Sequence, residues 1–378
     1  MRLGPVSRED HERFVSARPV SFLQCAGWAD VKPDWTPERL GWFDDTGQLV
    51  GVALVLLKRV PVLGRHLAYI AEGPIVDWSA RPAAQWLEPL VFHLKTRRVA
   101  SIRIGPAIGW RRWTAGTVKA AAEPGLGRRL GDIPPDDVDE VADKLIQELR
   151  ELGWVNGAYG AAFPGWSRYT FQVSLSGMTP ETAMSAMNQQ WRRGIRKAEK
   201  AGVTVVEGGY DDLADFHRVY VATADRDGFT ARPLDYFQRL FTALNADAPG
   251  RVRLYMGCHE GQVLAGMLVV TIGPKASYVF GGSASEKREV YPNHAVHWRI
   301  IRDCINSGVD VYDMRGIDDC IDPDHHDFGV LRFKLGTGGC AVEQVGDWDY
   351  FPSPVLQRAV AAAVLLQRTA KRLRRRSA

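Results

Sequence analysis

The sequence predicts an α/β or α+β protein in which helices pack on β-sheets, with the chain divided into two domains. At 378 residues it is long enough for two domains with substantial cores. Strand and helix patterns alternate along it. In the second half they follow the order strand, two helices, three strands, helix, strand, and a weaker copy of this order precedes it. The repetition indicates an internal duplication.

The first half has apolar patterns of both helical and strand period. In chain order they predict a short amphipathic helix within 21–35 closed by Pro33, a hairpin at 40–58 around Asp45-Thr46-Gly47, a strand at 66–76, a helix at 82–96, a strand at 100–104 and a helix at 137–153. Residues 109–135 are rich in Gly, Pro and Arg, so we expect mostly loop there.

The second half gives clearer signals of the same kinds. In chain order they predict a strand at 169–175, a helix at 181–201 capped by Gly202, a strand at 203–206, helices at 213–227 and 234–245, a hairpin at 251–272 around Glu260-Gly261, a strand at 276–280, a helix at 293–307 and a strand at 309–314.

The helix predicted at 181–201 has an unusual distribution of charge. Basic residues at spacings of one, three and four share one face: Arg192, Arg193, Arg196, Lys197 and Lys200. Apolar residues form the opposite, buried stripe: Met184, Met187, Trp191, Ile195 and Ala198. Two interpretations remain open, a solvated helix face or a surface that contacts phosphates.

The stretch 312–339 combines a strand end, an acidic loop and an apolar run that ends at Lys334. The simpler interpretation of the run is a surface strand with one extended lysine. Alternatively, Lys334 lies among apolar neighbours, where a fixed charge acts strongly because the local dielectric is low. Gly336, Gly338 and Gly339 then allow the backbone to turn away or to approach a ligand closely.

Composition and motifs exclude several classes of protein. The net charge of +4 is too small to indicate nucleic-acid binding by itself. The five cysteines show no CxxC pair, which favours free thiols in a reducing cytoplasm. The N-terminus lacks the apolar core of a signal peptide, and no apolar run reaches the ~20 residues of a membrane span.

Common catalytic motifs are also missing. The sequence contains no P-loop, no GxGxxG after a strand, no GxSxG and no HExxH. The acidic loop 318–327 contains His325 and His326, but its spacing matches no known metal-binding loop, so we expect no metal.

Six stretches, in order along the chain, carry a resemblance to a known family. They are GWADVKPDW (27–35), YIAEGPIVD (69–77), RDGFTARPLDYFQRL (226–240), FGGSASEKREVYPNHAVHW (280–298), VYDMRGI (311–317) and LRFKLG (331–336). The chain resembles the Fem peptidyltransferases, of FemX, FemA and FemB type. The resemblance implies an α+β fold of two tandem acetyltransferase-like (GNAT-like) domains without a coiled-coil arm. By analogy the domains are 1–165, completed by 346–378, and 166–345.

The resemblance also implies an activity. Fem enzymes transfer an amino acid from aminoacyl-tRNA to an amine of a peptidoglycan precursor, which builds the interpeptide bridge. We expect glycine as the amino acid, with alanine and serine as open alternatives. We expect lipid II rather than the soluble UDP-linked muropeptide as the acceptor. The ester of aminoacyl-tRNA is already activated, so no cofactor is expected. The scattered cysteines and the missing signal peptide predict a cytoplasmic protein, and a lipid II acceptor adds the inner face of the plasma membrane as a second expectation.

Individual roles carry over onto matching positions. Lys32 and Arg232 would bind the diphosphate of the precursor, and a guanidinium suits that task because its donors are paired. Lys334 would stabilise the oxyanion formed when the amine attacks the ester carbonyl. Tyr236 and Phe333 would contact substrate. The candidates for tRNA contact are Arg192, Arg193, Arg196 and Lys197.

Two positions depart from the family, and they leave rival functions open. An aspartate once considered as a base falls at Gly105, and a substrate tyrosine falls at Phe280. One rival is a tRNA-dependent transferase of this fold that acts on a natural-product peptide. Others are an N-acyltransferase that uses acyl-CoA and a non-enzymatic RNA- or membrane-binding protein. A clean acyl-CoA pyrophosphate loop is absent from the sequence.

The tail 354–378 has an apolar stripe followed by a basic end. It predicts either a helix docked on the first domain or one that lies on an anionic membrane.

Overall fold

A computed structural model describes residues 1–60, 63–157 and 167–362, which form two mixed sheets with helices packed on them. The strands are β1 (Arg2–Pro5), β2 (Thr36–Phe43), β3 (Leu49–Val60), β4 (Arg65–Ile70), β5 (Val99–Ile104), β6 (Gly109–Thr114), β7 (Asp137–Val138), β8 (Val155–Asn156), β9 (Tyr169–Ser174), β10 (Thr204–Gly208), β11 (Val252–His259), β12 (Gln262–Ile272), β13 (Lys275–Ser283), β14 (Val311–Gly316), β15 (Cys340–Gln344) and β16 (Trp348–Tyr350). The helices are α1 (Arg8–Ser16), α2 (Trp28–Val31), α3 (Ala83–Thr96), α4 (Ala115–Ala121), α5 (Glu140–Glu151), α6 (Pro180–Ala186), α7 (Gln189–Lys200), α8 (Leu213–Asp227), α9 (Leu234–Asp247), α10 (Pro292–Asn306) and α11 (Phe328–Leu335).

The two sheets repeat one topology, as the sequence predicts. The first has the order β1-β2-β3-β4-β5-β16-β8, and the second β10-β11-β12-β13-β14-β9-β15-β6-β7. Two helices follow β1 and two follow β10. Then come three antiparallel strands, a crossover helix and a strand parallel to the last of them, with α3 joining β4 to β5 and α10 joining β13 to β14. The internal duplication is therefore visible strand by strand.

The halves also exchange strands. β6 and β7 leave the first half of the chain and extend the second sheet, whereas β8 and β16 belong to the first sheet. β16, from the returning part of the chain, lies beside β5. The domain bounds 1–165, completed by 346–378, and 166–345 stay a prediction. Only residues 201–203 separate α7 from β10, so no coiled-coil arm is inserted there.

Most predicted elements occur where expected, but residues 109–135 are not mostly loop. They contain β6 and α4. β6 pairs with β15, more than 200 residues later in the chain, with Trp113 opposite Ala341. Arg111 on β6 pairs with the buried carboxylate of Glu343. Local composition misses this strand because its partners are remote in sequence.

Two predicted helices are divided. The predicted helix at 181–201 breaks into α6 and α7, because Met187 is extended and the side chain of Asn188 caps Trp191 N–H at 2.9 Å. Within 21–35, one 3₁₀ turn at Phe22–Gln24 precedes the short α2, and Lys32 follows it.

The apolar run before Lys334 is the helix α11, and the surface-strand interpretation is wrong. Its buried residues are Phe328, Leu331, Lys334 and Leu335. Gly338 has a left-handed φ of 83°, and a side chain at Gly336 would clash with Trp191. These glycines let the chain turn and pack closely on α6 and α7.

One apolar core is shared by the two halves. Phe22, Trp28 and Leu54 from the first half pack in one cluster with residues of α8, α9, β11 and β12. Two further cores lie under α3 and α5, and under α7, α10 and α11. The shared core fixes the position of one sheet relative to the other.

The structure also bears on the predictions for the cysteines, for membrane spans and for the C-terminal tail. The five cysteines are free thiols. Within the described ranges, no helix has both the length and the apolar character to cross a bilayer. The tail is helical from residue 354, and Val360 packs against Ala100, as in the docked interpretation. The basic end at 371–376 lies outside the described residues.

Candidate active site

The bulge at the end of β14 organises the site. β14 pairs with β9 up to Asp313, and the register shifts between Asp313 and Gly316. Within the bulge, Arg315 has a left-handed φ of 60°. At this bulge the carbonyl groups of residues 314–316 accept hydrogen bonds from a side-chain donor.

Lys334 of α11 supplies that donor. Its Nζ donates to the carbonyl oxygens of Met314 at 2.7 Å, Arg315 at 3.2 Å and Gly316 at 2.7 Å. The residue is only 6% exposed. An ammonium has three N–H donors, so these contacts use them all. Burial lowers the pKa of Lys334 to about 8, with Arg315 acting in the same direction and Asp313 opposing it.

Phe333, next to Lys334, lies half-buried in a cluster of rings. It packs against Trp191 at 4.7 Å, His294 at 5.1 Å and His297 at 5.5 Å between ring centroids. Trp191 Nε1 also donates to the Phe333 carbonyl at 2.7 Å. Burial lowers the pKa of His297 to about 3, so this histidine is neutral. The cluster ties α11 to α7 and α10.

Arg315 connects the bulge to the first sheet. Its Nη2 lies 2.6 Å from Oε1 of Glu72, and Nη1 lies 3.3 Å from Oε2. Burial works against ionisation of Glu72, but the adjacent Arg315 outweighs it and lowers the pKa of that carboxyl. Asp313 accepts from the Arg315 N–H at 2.7 Å and pairs with Lys275 at 3.0 Å. The charges between the sheets therefore form one connected network.

A second group consists of cations beside aromatic rings, and three of the predicted site residues belong to it: the cations Lys32 and Arg232 and the ring of Tyr236. Lys32 Nζ lies 4.9 Å from the ring centroid of Trp28 and 5.4 Å from that of Tyr236. Arg232 Cζ lies 4.5 Å from the Tyr236 centroid. Phe280, at the position of the family tyrosine, packs on Tyr236 with a centroid distance of 5.8 Å.

A third cation, Lys58, belongs to this group. Its Nζ lies 5.4 Å from the ring centroid of Trp35. Burial, followed by the charges of Arg232 and Lys58, lowers the pKa of Lys32 to about 8. No carboxylate in the described chain forms an ion pair with any of the three. Such unpaired cations beside aromatic rings are suited to an anionic ligand with several oxygens.

The structure thus brings Lys32, Arg232 and Tyr236 together and places Lys334 and Phe333 in a different group. Aromatic packing connects the two. Arg315 Cζ lies 6.0 Å from the ring centroid of Phe22, and that ring contacts Trp28 edge-on at 5.4 Å.

The basic face of α7 has the predicted form. Arg193, Arg196, Lys197 and Lys200 are exposed, Arg192 is partly exposed, and Trp191, Ile195 and Ala198 are buried. Within the described residues none of the five cations has a carboxylate partner. Their charge is available to an external anion.

The acidic loop makes mainly structural contacts. Asp322 accepts from the N–H groups of Gly125 at 3.1 Å and Gly127 at 2.6 Å, which ties the loop to the segment after α4. Side-chain ligand atoms of Asp318, Cys320 and His325 lie within 4.8 Å of one another, as do those of the triplet His325, His326 and Asp327. That no metal binds here stays a prediction.

Sequence reasoning missed three charged residues of the site: Lys58, Glu72 and Arg315. Glu72 follows β4, whereas Arg315 lies near the end of β14, which corresponds to β5 in the repeat. The two residues are therefore not at equivalent positions of the two halves, and the duplication gave no signal for the pair. Both lie in stretches that resemble the family, and that was the signal available for them.

Comparison with known proteins adds three findings. The FemAB family profile matches residues 6–249 and 256–364. The lipid II:glycine glycyltransferase of Staphylococcus saprophyticus is 25% identical over 413 residues, which covers 91% of this chain and 92% of that protein. The enzyme of the same name from Staphylococcus aureus is 24% identical over 428 residues and covers 94% of each chain.

A solved structure shares the fold. The crystal structure of FemX matches with a TM-score of 0.79 at 22% identity, over 96% of this chain and 100% of that one. The likeness agrees with the repeated topology and confirms the predicted α+β fold with two GNAT-like halves.

Proposed function

Because this chain belongs to the FemAB family, we propose that it transfers glycine from aminoacyl-tRNA to an amine of the stem peptide of lipid II. The product is the first residue of an interpeptide bridge of peptidoglycan. Two relatives that align over nearly their whole length are named lipid II:glycine glycyltransferases, which supports both the amino acid and the acceptor. The tRNA requirement rests on the resemblance of the sequence to the family.

The cation group of Lys32, Lys58 and Arg232 is the observation that carries this proposal. Lipid II and the UDP-linked muropeptide both contain a diphosphate, and this group offers three positive charges without a carboxylate partner in the described chain. Arg232 can grip two phosphate oxygens at once, whereas each lysine acts as a point charge. Tyr236, under Lys32 and Arg232, would hold both cations in place and contact the precursor.

Lys334 is the proposed catalytic cation, and the geometry sets a condition on its role. Its three donors are taken by the carbonyls of residues 314–316. To stabilise the oxyanion of the tetrahedral intermediate, the ammonium must give up one carbonyl and turn a donor to the substrate. The neighbouring Phe333 would then form one wall for the aminoacyl group.

The exposed face of α7 is the proposed contact for tRNA. Arg192, Arg193, Arg196 and Lys197 would bind phosphates, which positions an RNA without reading its sequence. Both donor and precursor are available at the cytoplasmic side of the membrane, so we place the enzyme there, at the inner face of the plasma membrane when it acts on lipid II.

Transfer of labelled amino acid tests the proposal. A mixed pool of radiolabelled aminoacyl-tRNAs is offered with lipid II and, separately, with UDP-MurNAc-pentapeptide, and Lys334→Ala serves as the control. Labelled glycine on lipid II, absent with the variant, is the expected result. Label on the soluble precursor alone would correct the acceptor. No label on either, from folded protein, would favour the natural-product transferase.

A further inference from the structure

A small polar cavity lies between the end of β5, the bulge of β14 and the chain just before β16. Its volume of about 30 Å³ accommodates a group the size of a water molecule or a primary amine. Both sheets contribute to its wall, with Glu72 and Gly105 from the first half and Thr170 and Arg315 from the second. Asp347, just before β16, also lines the cavity.

Asp347 occupies the space that a side chain at position 105 would fill. A Cβ atom built on Gly105 would lie 2.6 Å from Oδ1 of Asp347. The backbone of Gly105 is held there by its N–H, which donates to the Gly73 carbonyl at 3.0 Å. The carboxylate that the sequence lacks at position 105 is thus provided by a residue from near the end of the chain.

The neighbouring carboxylates all have close partners. Glu72 accepts from Arg315 at 2.6 Å, and Asp313 pairs with Lys275 at 3.0 Å. Asp349 accepts two bonds of 2.8 Å from Arg103.

Asp347 differs from these carboxylates. Its closest cation is Arg103, with Nη1 at 3.8 Å from Oδ2, and that guanidinium is already engaged by Asp349. In the described chain, no donor makes a hydrogen bond to the Asp347 carboxylate. Its side chain is 18% exposed, whereas that of Asp349 is fully buried. Asp347 is therefore the carboxylate of this cavity that can accept a proton or a hydrogen bond from a ligand.

The charges around Asp347 favour its neutral form or a cationic partner. Burial raises the pKa of Asp347 to about 7 against the attraction of Arg103, and the negative charges of Asp349 and Glu72 act with burial. The remaining titratable side chains that face the cavity are Lys275, Asp313 and Arg315, with Tyr69 beside it. A carboxyl group in this range is suited to general-base catalysis near neutral pH.

We infer that Asp347 accepts the proton of the attacking amine, an inference that rests on the proposed transferase function. The amine nitrogen bonds to the carbonyl carbon of the aminoacyl ester and its proton passes to a carboxylate oxygen of Asp347. The ester C–O bond then breaks, and the departing ribose oxygen takes that proton back. An ester and an amine give an amide and an alcohol, and the carboxylate is regenerated.

Two variants test this role in the transfer assay. Asp347→Asn keeps the shape of the side chain but cannot hold the proton, so kcat falls by about 100-fold or more. In Gly105→Asp/Asp347→Ala the carboxylate moves to position 105, in the space that the removed side chain leaves, and most of the lost rate returns. Asp310→Asn, an exposed aspartate at the other end of β14, is the matched control and keeps the wild-type rate.

The pH profile distinguishes a base from a residue with a structural role, because loss of a structural contact would not change the pH dependence of kcat/KM. The base works when it is deprotonated, so kcat/KM of the wild type rises through pH of about 7. This rise, which is the acidic limb of the pH profile, disappears in Asp347→Asn and persists in Asp347→Glu. Melting temperatures of all variants are measured alongside.

The outcomes separate the two ideas. If the wild type transfers glycine and folded Asp347→Asn keeps both its rate and its acidic limb, this inference fails and the transferase function stands. If Asp347→Asn does not fold, the double variant decides: a folded Gly105→Asp/Asp347→Ala protein without recovered activity overturns the inference. If the wild type transfers nothing, both are overturned.

Discussion

Arg315 and Glu72 pair across the two sheets, and both have a left-handed backbone conformation. Their φ angles are 60° and 46°, and their closest atoms are 2.6 Å apart. Such a conformation costs a residue with a side chain on the order of 1–3 kcal/mol. It is retained here because each residue turns its side chain toward the other half, where the ion pair and the network around Asp313 hold it.

Removal of one member of this pair should destabilise the fold. Glu72→Gln removes the closer of two carboxylates from the largely buried guanidinium of Arg315 and leaves Asp313 at 3.6 Å, and we expect the free energy of unfolding to fall by about 3 kcal/mol. Urea unfolding at pH 7 measures it. In Glu72→Leu/Arg315→Met, which removes both charges, the loss should be smaller. Equal losses in the single and double variants would show that packing, not charge, holds the sheets together here.

Acid should weaken the same contact. The pKa of Glu72 is lowered in the folded protein, so the stability that it contributes is present above the unfolded-state pKa of ~4.3 and is lost as pH falls below it. In urea unfolding between pH 7 and pH 3, Glu72→Gln should therefore lose less stability than the wild type. Parallel pH curves for the two proteins would contradict this.

Lys334→Met should separate catalysis from precursor binding. The variant keeps an apolar side chain in the buried site but leaves three carbonyls without their donor, and the oxyanion loses its cation. We expect kcat to fall by about 100-fold or more, with precursor affinity nearly unchanged because the cation group around Lys32 is separate. Arg332→Met, exposed on the same helix, is the control. Loss of precursor binding in Lys334→Met would instead indicate collapse of the bulge.

Binding of the precursor should weaken above pH of about 8. The lowered pKa of Lys32 means that this lysine loses its charge as pH rises through about 8, and with it one contact to the diphosphate. Calorimetric titration with UDP-MurNAc-pentapeptide from about pH 6.5 to about pH 9.5, on both sides of the Lys32 pKa, measures the change in affinity. In Lys32→Arg the charge persists at high pH, so affinity should stay constant. A decline of equal size in the variant would assign the titration to another group, with Lys58 as the next to test.

Salt should weaken tRNA binding through the face of α7. Each phosphate contact contributes ~0.7–0.9 to the slope of log affinity against log salt concentration, so Arg193→Ala/Lys197→Ala should reduce that slope by about 1 to 2. Filter binding at several salt concentrations provides the slope. Lys119→Ala/Arg150→Ala removes two exposed cations of α4 and α5 that form no ion pair within the described residues, and it should leave the slope unchanged. Equal slopes for the two double variants would indicate that the RNA binds to another surface.

The sequence predicts those parts of the fold that depend on local pattern. The repeated order of strands and helices, the basic face of α7 and the hairpin turns all follow from periodicity and turn residues. The group of Lys32, Arg232 and Tyr236 follows from resemblance to the family. The sequence also contains a signal for the break between α6 and α7, because Asn188 is a good N-cap residue three positions before Trp191.

Other features depend on residues that are far apart in sequence. β6 is a strand because β15 pairs with it, and no local signal shows this. Lys334 binds a bulge whose existence depends on the register between β14 and β9. The substitution at Gly105 indicates the loss of a carboxylate, whereas the folded chain brings Asp347 to the same point. Only three-dimensional proximity can reveal that exchange.

The exchange of strands between the sheets has a mechanical consequence. Among the described strands, the chain passes from one sheet to the other four times, between β5 and β6, β7 and β8, β8 and β9, and β15 and β16. Several covalent connections therefore bridge the two sheets, and rotation about a single linker cannot separate them. A gene fragment that encodes either half alone would also lack strands that its sheet requires. We therefore expect the two halves to fold together and not as independent units.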